Sequence, residues 1–195
     1  SPTPTRVSAT PTPAGVQPQY GGVLRLIMTS EAFSHDPHKS STPDMQMAGT
    51  FDLLLTAHPQ TGDLMPSIAT SWEFKDPTTM VLRIRQGVKF HNVPPVNGRE
   101  MTAEDVVYSL ERERTPGGLF PKAGRYVNLD TVTALDKNTI QMKLKEVSAS
   151  FVRTLPGLGA VLPKEAIEKF RDFNDPANYI GTGPFIIEKY TPGVG

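Results

Sequence analysis

Ser34-His35-Asp36-Pro37-His38 packs two imidazoles and a carboxylate into one short stretch. Those are donor types of a zinc or nickel site, where neutral imidazole nitrogen and carboxylate oxygen share the metal. Pro37, however, restricts Asp36 to extended conformations. That restriction counts against a metal site, and none is assigned.

A second candidate is SWEFKDPTTMVLRIRQGVKFH (71–91), whose Arg83, Arg85, Lys89 and His91 could grip an anion or a nucleic acid. The period of the stretch argues otherwise. Trp72, Phe74, Met80, Leu82 and Ile84 alternate with charged or polar residues, and Asp76-Pro77-Thr78 is turn chemistry. A hairpin pairing Lys75 with Thr79, Phe74 with Met80 and Trp72 with Leu82 puts the apolar side chains on one face and the basic ones on the other. Aromatic residues do not interleave with the basic ones, as base stacking would need, so nucleic acid is not an expected partner. His91 reads as a surface or turn histidine.

The remaining candidates are weaker. Gly181-Thr-Gly183 resembles part of a phosphate loop but lacks its lysine and precedes a proline and a strand, not a helix. Glu104 and Asp105 are adjacent and point apart on a helix, so they make no working acid/base pair. No serine occupies a nucleophile elbow. No catalytic constellation assembles, the chain is not read as an enzyme, and no cofactor is expected.

Composition narrows the field further. The 195 residues make one domain or one large lobe, and 20 basic against 20 acidic residues argue against a chain-wide grip on a polyanion. Cysteine is absent, which excludes disulfides, thiolate metal ligands and a cysteine nucleophile. There is no run of 18 apolar residues to form a membrane-spanning helix, and the given N-terminus lacks the charged start and apolar core of a signal peptide.

The elements that must position any site begin after residue 22. Residues 1–22 are rich in Pro and Thr, cannot bury enough apolar surface to offset their ordering entropy, and read as a disordered tether. Val23 to Thr29 is a strand candidate. Thr42-Pro43-Asp44 starts a helix whose apolar side includes Met47, Phe51, Leu54 and Leu55. Thr102-Ala-Glu-Asp105 is a near capping box opening a helix with Ala103, Val106, Val107 and Leu110 on one stripe and a solvated end at Glu111–Arg114. Residues 132–146 read as a hairpin around Asp136-Lys137-Asn138, Ala149 to Leu155 as a short helix, Pro163 as the start of another, and the stretch after Gly183 as a strand. Strands and helices mix without strict alternation, so the fold class is α/β or α+β with a mixed sheet.

The order of these pieces resembles a family. Asp63-Leu-Met-Pro-Ser-Ile-Ala-Thr-Ser-Trp-Glu, Leu82-Arg-Ile-Arg, Gly87-Val-Lys-Phe-His91, Thr102 to Arg112, Val161-Leu-Pro-Lys-Glu-Ala-Ile-Glu168 and Gly181-Thr-Gly-Pro-Phe185 are similar to segments of the family 5 extracellular solute-binding proteins of ABC importers, which take dipeptides, oligopeptides or nickel. Asp36-Pro37-His38 is also similar to a structural turn of the family. The resemblance covers residues 22–193. It departs at HNVPPVNGREM, a longer proline-rich loop than the family's short turn, expected to alter the surface beside the helix at 102.

The resemblance implies a two-lobe fold of which residues 23–195 are the N-terminal part of the first lobe, with the second lobe and the C-terminal completion absent. It implies a periplasmic or extracellular-face protein, a monomer that captures peptides or similar small solutes without chemistry and hands them to a membrane permease. Lipid anchoring through a cysteine upstream of Ser1 is an expectation from the tether's composition. A chaperone, receptor or sensor role on the same scaffold, or nickel or oligosaccharide in place of peptide, is the alternative. The implied ligand-binding residues are Ser30, Glu31 and Phe33 after the first strand, and Phe120 and Tyr126 after the long helix.

Overall fold

The computed structural model describes residues 21–23, 25, 36–40, 49–117, 120–171, 173, 175, 178–189 and 191. The chain divides into Ser1–Ser30 with Gly195, and Glu31–Val194. Every element below belongs to the second unit. The tether, the strand expected at 23–29 and the helix start at 42–44 lie wholly or mostly outside the described residues.

Two antiparallel sheets form from the alternating segments. β1 (Leu55–Ala57) pairs with β2 (Leu64–Pro66). β3 (Ala69–Asp76), β4 (Thr79–Ile84), β5 (Leu129–Asp136) and β6 (Thr139–Leu144) make a four-stranded sheet in the order β3-β4-β6-β5. The expected pairs Phe74–Met80 and Trp72–Leu82 are present. Near the turn the register differs from expectation: an irregularity between Phe74 and Asp76 pairs Asp76, not Lys75, with Thr79. The Asp76 carboxylate accepts the Thr78 N–H at 2.8 Å and so tightens the turn to two residues. Asp136 takes the Asn138 N–H in the same way in the second hairpin.

One face of the large sheet is the core. Met80, Leu82, Ile140 and Met142 from the two central strands are each at most 1% exposed. Arg83, Arg85 and Lys89 are exposed, as the period of two requires. The edge strand β3 is less covered: Trp72 is half-buried and Phe74 is 46% exposed, so Phe74 is not the interior residue its spacing predicts. The inward phase is right, but an edge strand has a neighbour on one side only.

α1 (Ala103–Glu113) lies against β5 and β6 and seats Val106 and Leu110 in the core. Its capping box forms, with the Asp105 carboxylate accepting the Thr102 N–H at 2.9 Å. α2 (Ala149–Thr154) and α3 (Lys164–Phe170) occupy the two expected helical stretches. A 3-10 turn spans Ala123–Tyr126.

Three expectations need correction. Residues 49–50 are helical, but the chain leaves the helix at Phe51, and Leu55 already opens β1. The backbone there has distant partners: Leu54 N–H donates to the Gly159 carbonyl at 3.2 Å, and Ala69 N–H donates to the Leu54 carbonyl at 2.9 Å. The stretch after Gly183 is not a strand; residues 184–189 join no ladder, although Phe185 N–H donates to the Gly49 carbonyl at 3.0 Å. Finally, the end of α1 is not a solvated run, since Glu113 is fully buried and the Arg112 side chain is 12% exposed.

The long proline-rich loop packs more closely than a surface decoration. Val96 is buried, and Arg99 reaches the carboxylates of both Asp105, on α1, and Glu165, on α3. This double clamp ties the two helices together and draws the Glu165 carboxyl below its ordinary value.

Candidate functional site

Asp105, Ser109 and Arg112 recur at i, i+4 and i+7 and share one face of α1. Glu113 follows at i+4 from Ser109. This polar stripe points inward. Ser109 donates to the Asp105 carbonyl at 2.7 Å and accepts the Leu162 N–H at 2.9 Å, fixing the segment before α3.

Arg112 organises the turn at 36–40. Its guanidinium forks onto Asp36, with Nη1–Oδ1 at 3.0 Å and Nη2–Oδ2 at 2.5 Å. Nη1 also donates to His38 Nδ1 at 2.8 Å. Nδ1 is therefore the acceptor nitrogen, and Nε2–H donates to the Ala160 carbonyl at 2.8 Å. Burial alone would raise the Asp36 carboxyl, but the hydrogen bonds and charge of Arg112 outweigh it and the net shift is downward. Burial holds His38 below its ordinary value, opposed in part by the charge of Glu113. Asp36 and His38 are thus both engaged by Arg112. Among the described residues, no group of three or more His, Asp and Glu side chains could hold a metal ion.

Glu113 is the second buried hub. It accepts the Tyr126 hydroxyl and, at 2.9 Å, the Gly159 N–H, and it faces the Lys122 ammonium at 3.5 Å. Lys122 also reaches the Pro37 carbonyl at 3.4 Å, which links the two hubs. Burial and the Glu113 charge together push the Tyr126 hydroxyl well above its ordinary value, so it stays protonated and donates.

Of the residues expected to meet a ligand, Ser30, Glu31 and Phe33 lie outside the described residues. Phe120 is half-buried, with its ring 4.9 Å from the Arg112 guanidinium and edge-on to His38 at 6.4 Å between centroids. Tyr126 is 2% exposed and its hydroxyl is engaged by Glu113. The structure brings Phe120 against the 36–38 turn, close in sequence to Phe33. Tyr126 instead lines an open groove of about 610 Å³ with Pro116, Ala123, Val127 and Leu129. The polar groups of that groove are already paired: Arg114 with Glu111 at 2.7 Å, and Lys145 with the Val127 carbonyl at 2.8 Å.

Sequence reasoning missed Arg112, Glu113 and Lys122. An isolated signal was there, since polar residues continue the inward stripe of α1 one turn beyond Ser109. The same reasoning reads His91 as a surface or turn histidine, and the surface part of that reading fails. His91 is 8% exposed; its Nε2 lies 2.8 Å from the Gly183 carbonyl, and its Nδ1 accepts the Gly181 N–H at 3.3 Å. Gly181-Thr-Gly183 is a crossing over residues 49–50. A Cβ on Gly181 would lie 2.0 Å from the Thr50 carbonyl oxygen, which is why glycine stands there.

The arrangement matches known proteins at two levels. A profile described as "Bacterial extracellular solute-binding proteins, family 5 Middle" matches residues 63–195. The chain belongs to this family. It is 31% identical over 205 aligned positions to the periplasmic oligopeptide-binding protein OppA of Salmonella typhimurium, an alignment covering 94% of this chain and 36% of OppA. It is 28% identical to the dipeptide-binding protein of Escherichia coli over 77% of this chain and 31% of that protein. The fold is similar to that of the Escherichia coli murein tripeptide binding protein MppA, with a TM-score of 0.71 at 23% identity, over 84% of this chain and 35% of MppA. The chain thus spans about a third of the length of the relatives it matches, and it carries a mixed α and β architecture built on antiparallel sheets.

Proposed function

We propose that this chain is part of the extracytoplasmic binding component of an ABC importer, which captures peptides between two lobes and delivers them to a membrane permease. The observation that carries the reading is family membership together with similarity along nearly the whole chain to proteins named for oligopeptide and dipeptide binding. The structure supports it physically. A rigid lobe held by buried ionic hubs presents a preformed surface, and lobe closure over a ligand needs such a surface to close against.

The chain's share of the work is to bind and orient, without covalent chemistry. Phe120 supplies an apolar wall, and Ser30, Glu31 and Phe33 are the further ligand contacts of this reading, with Glu31 accepting from a peptide N–H or amine. The protein works as a monomer. The proline- and threonine-rich residues 1–22 act as a stalk, and a lipid on an upstream cysteine would hold the protein at the membrane. Finding no signal peptide ending in cysteine in the upstream gene sequence would remove the anchor.

The test is calorimetric titration of the intact protein with peptides of two to five residues, alongside a nickel–histidine complex and an oligosaccharide. Saturable 1:1 binding of peptide alone supports the reading. Saturable binding of nickel or sugar with no peptide binding overturns the substrate class.

A further inference from the structure

We propose that Arg112 is a positioning residue for ligand binding, acting through Phe120 and never touching the ligand. The inference rests on the peptide-capture reading above and adds to it a device and a ligand class. Phe120 is half-buried, whereas the groups that hold it are buried: Asp36 is 1% exposed, His38 is fully buried, and the Arg112 side chain is 12% exposed. The Arg112 guanidinium lies over the ring at 4.9 Å, and His38 meets the ring edge-on at an interplanar angle of 81°. The ring is thereby fixed by two contacts while part of it stays open to solvent.

Arg112 is itself unable to swing. Its fork grips both oxygens of Asp36, and its Nη1 also meets His38 Nδ1. His38 is anchored in turn, through Nε2 to the Ala160 carbonyl and through its N–H to Asp36 at 3.0 Å. An aromatic wall ordered in advance removes the entropy a ligand would otherwise have to supply, so it raises affinity without adding a contact. The wall suits an apolar or aromatic side chain of a bound peptide, which can pack on the open part of the ring. A lysine at 112 would keep the charge but lose the planar fork that grips Asp36 while covering the ring.

The experiment is a double-mutant cycle on affinity in the intact protein, with the tripeptide Ala-Phe-Ala as probe and titration calorimetry as readout. Arg112→Lys should weaken binding on the order of fivefold, and by under about twofold in the Phe120→Leu background. A purely structural role would give the same loss in both backgrounds. That result, or no loss in the parent, overturns the inference and leaves the peptide reading standing. Failure of the unmutated protein to bind Ala-Phe-Ala while other peptides bind overturns the inference alone, and failure to bind any peptide of two to five residues overturns both. Should Arg112→Lys fail to fold, Asp36→Asn releases the same fork and the cycle is run with it; equal losses there also overturn the proposal.

Discussion

Replacing Glu113 by alanine should destabilise this lobe by about 4–6 kcal/mol, more than any charge substitution on the exposed sheet face. The carboxylate is fully buried and accepts from the Tyr126 hydroxyl and the Gly159 N–H. Each donor left unpaired costs about 1–3 kcal/mol. The Lys122 ammonium, 6% exposed, would lose its counter-charge, and breaking a buried pair from one side costs about 3–5 kcal/mol. These contributions overlap, and Lys122 keeps the Pro37 carbonyl at 3.4 Å, so the total falls below their sum. Glu113→Gln keeps an acceptor oxygen and should cost about half as much. Adding Lys122→Met to Glu113→Ala should recover about 2 kcal/mol, because the lone buried charge is gone. Urea unfolding of each variant, followed by far-UV circular dichroism, gives the comparison, with exposed Lys143→Ala as a control expected within about 0.5 kcal/mol. A loss below about 1 kcal/mol for Glu113→Ala, or a further loss on adding Lys122→Met, would refute the hub.

Gly181→Ala should destabilise by at least about 3 kcal/mol, since the new Cβ meets the Thr50 carbonyl oxygen at 2.0 Å and backbone cannot yield cheaply; an unchanged melting midpoint would contradict the close crossing. Stability should fall as pH drops below about 6.5, because His38 is held below that ordinary value when folded, so the unfolded chain binds the proton first. Asp36, also lowered, adds a second loss on the acid side of 3.8. His38→Gln should remove the first of these steps from a plot of melting midpoint against pH, and a midpoint that rises between pH 7 and 5 would reverse the sign. Leu82→Ala, at a fully buried position, should cost about 2–5 kcal/mol and Phe74→Ala, at an edge, about 1 kcal/mol or less, as measured by the same unfolding series; equal costs would contradict the observed burial.

The hairpins were legible because a period of two is a local property. Ile140, Met142 and Leu144 alternate with Gln141, Lys143 and Lys145, and the structure keeps every one of them on the expected face. What local pattern does not carry is how much of a face its neighbours cover. Phe74 and Leu82 have the same phase, yet only Leu82 lies in a central strand. The same limit explains Leu54 and Leu55, whose helical spacing lost to distant backbone partners.

The buried hubs were less legible. A run of alternating charges at the end of a helix ordinarily faces water, and nothing local shows that Arg112 meets a carboxylate 76 residues away. The ordered motifs were the stronger guide, since Thr102 to Arg112 and Gly181 to Phe185 carry both the family pattern and residues the structure explains. The burial of His91 was hidden for the same reason as that of Glu113: its partners, Gly181 and Gly183, are distant in sequence.

The central claim is that the protein carries a peptide intact. Native mass spectrometry of the intact protein, purified from cells without unfolding, measures this directly. The account predicts one bound peptide mass per protein, released unaltered on denaturation and displaced by added peptide. A protein that emerges empty and stays empty with excess peptide, or that releases shortened products, would contradict it.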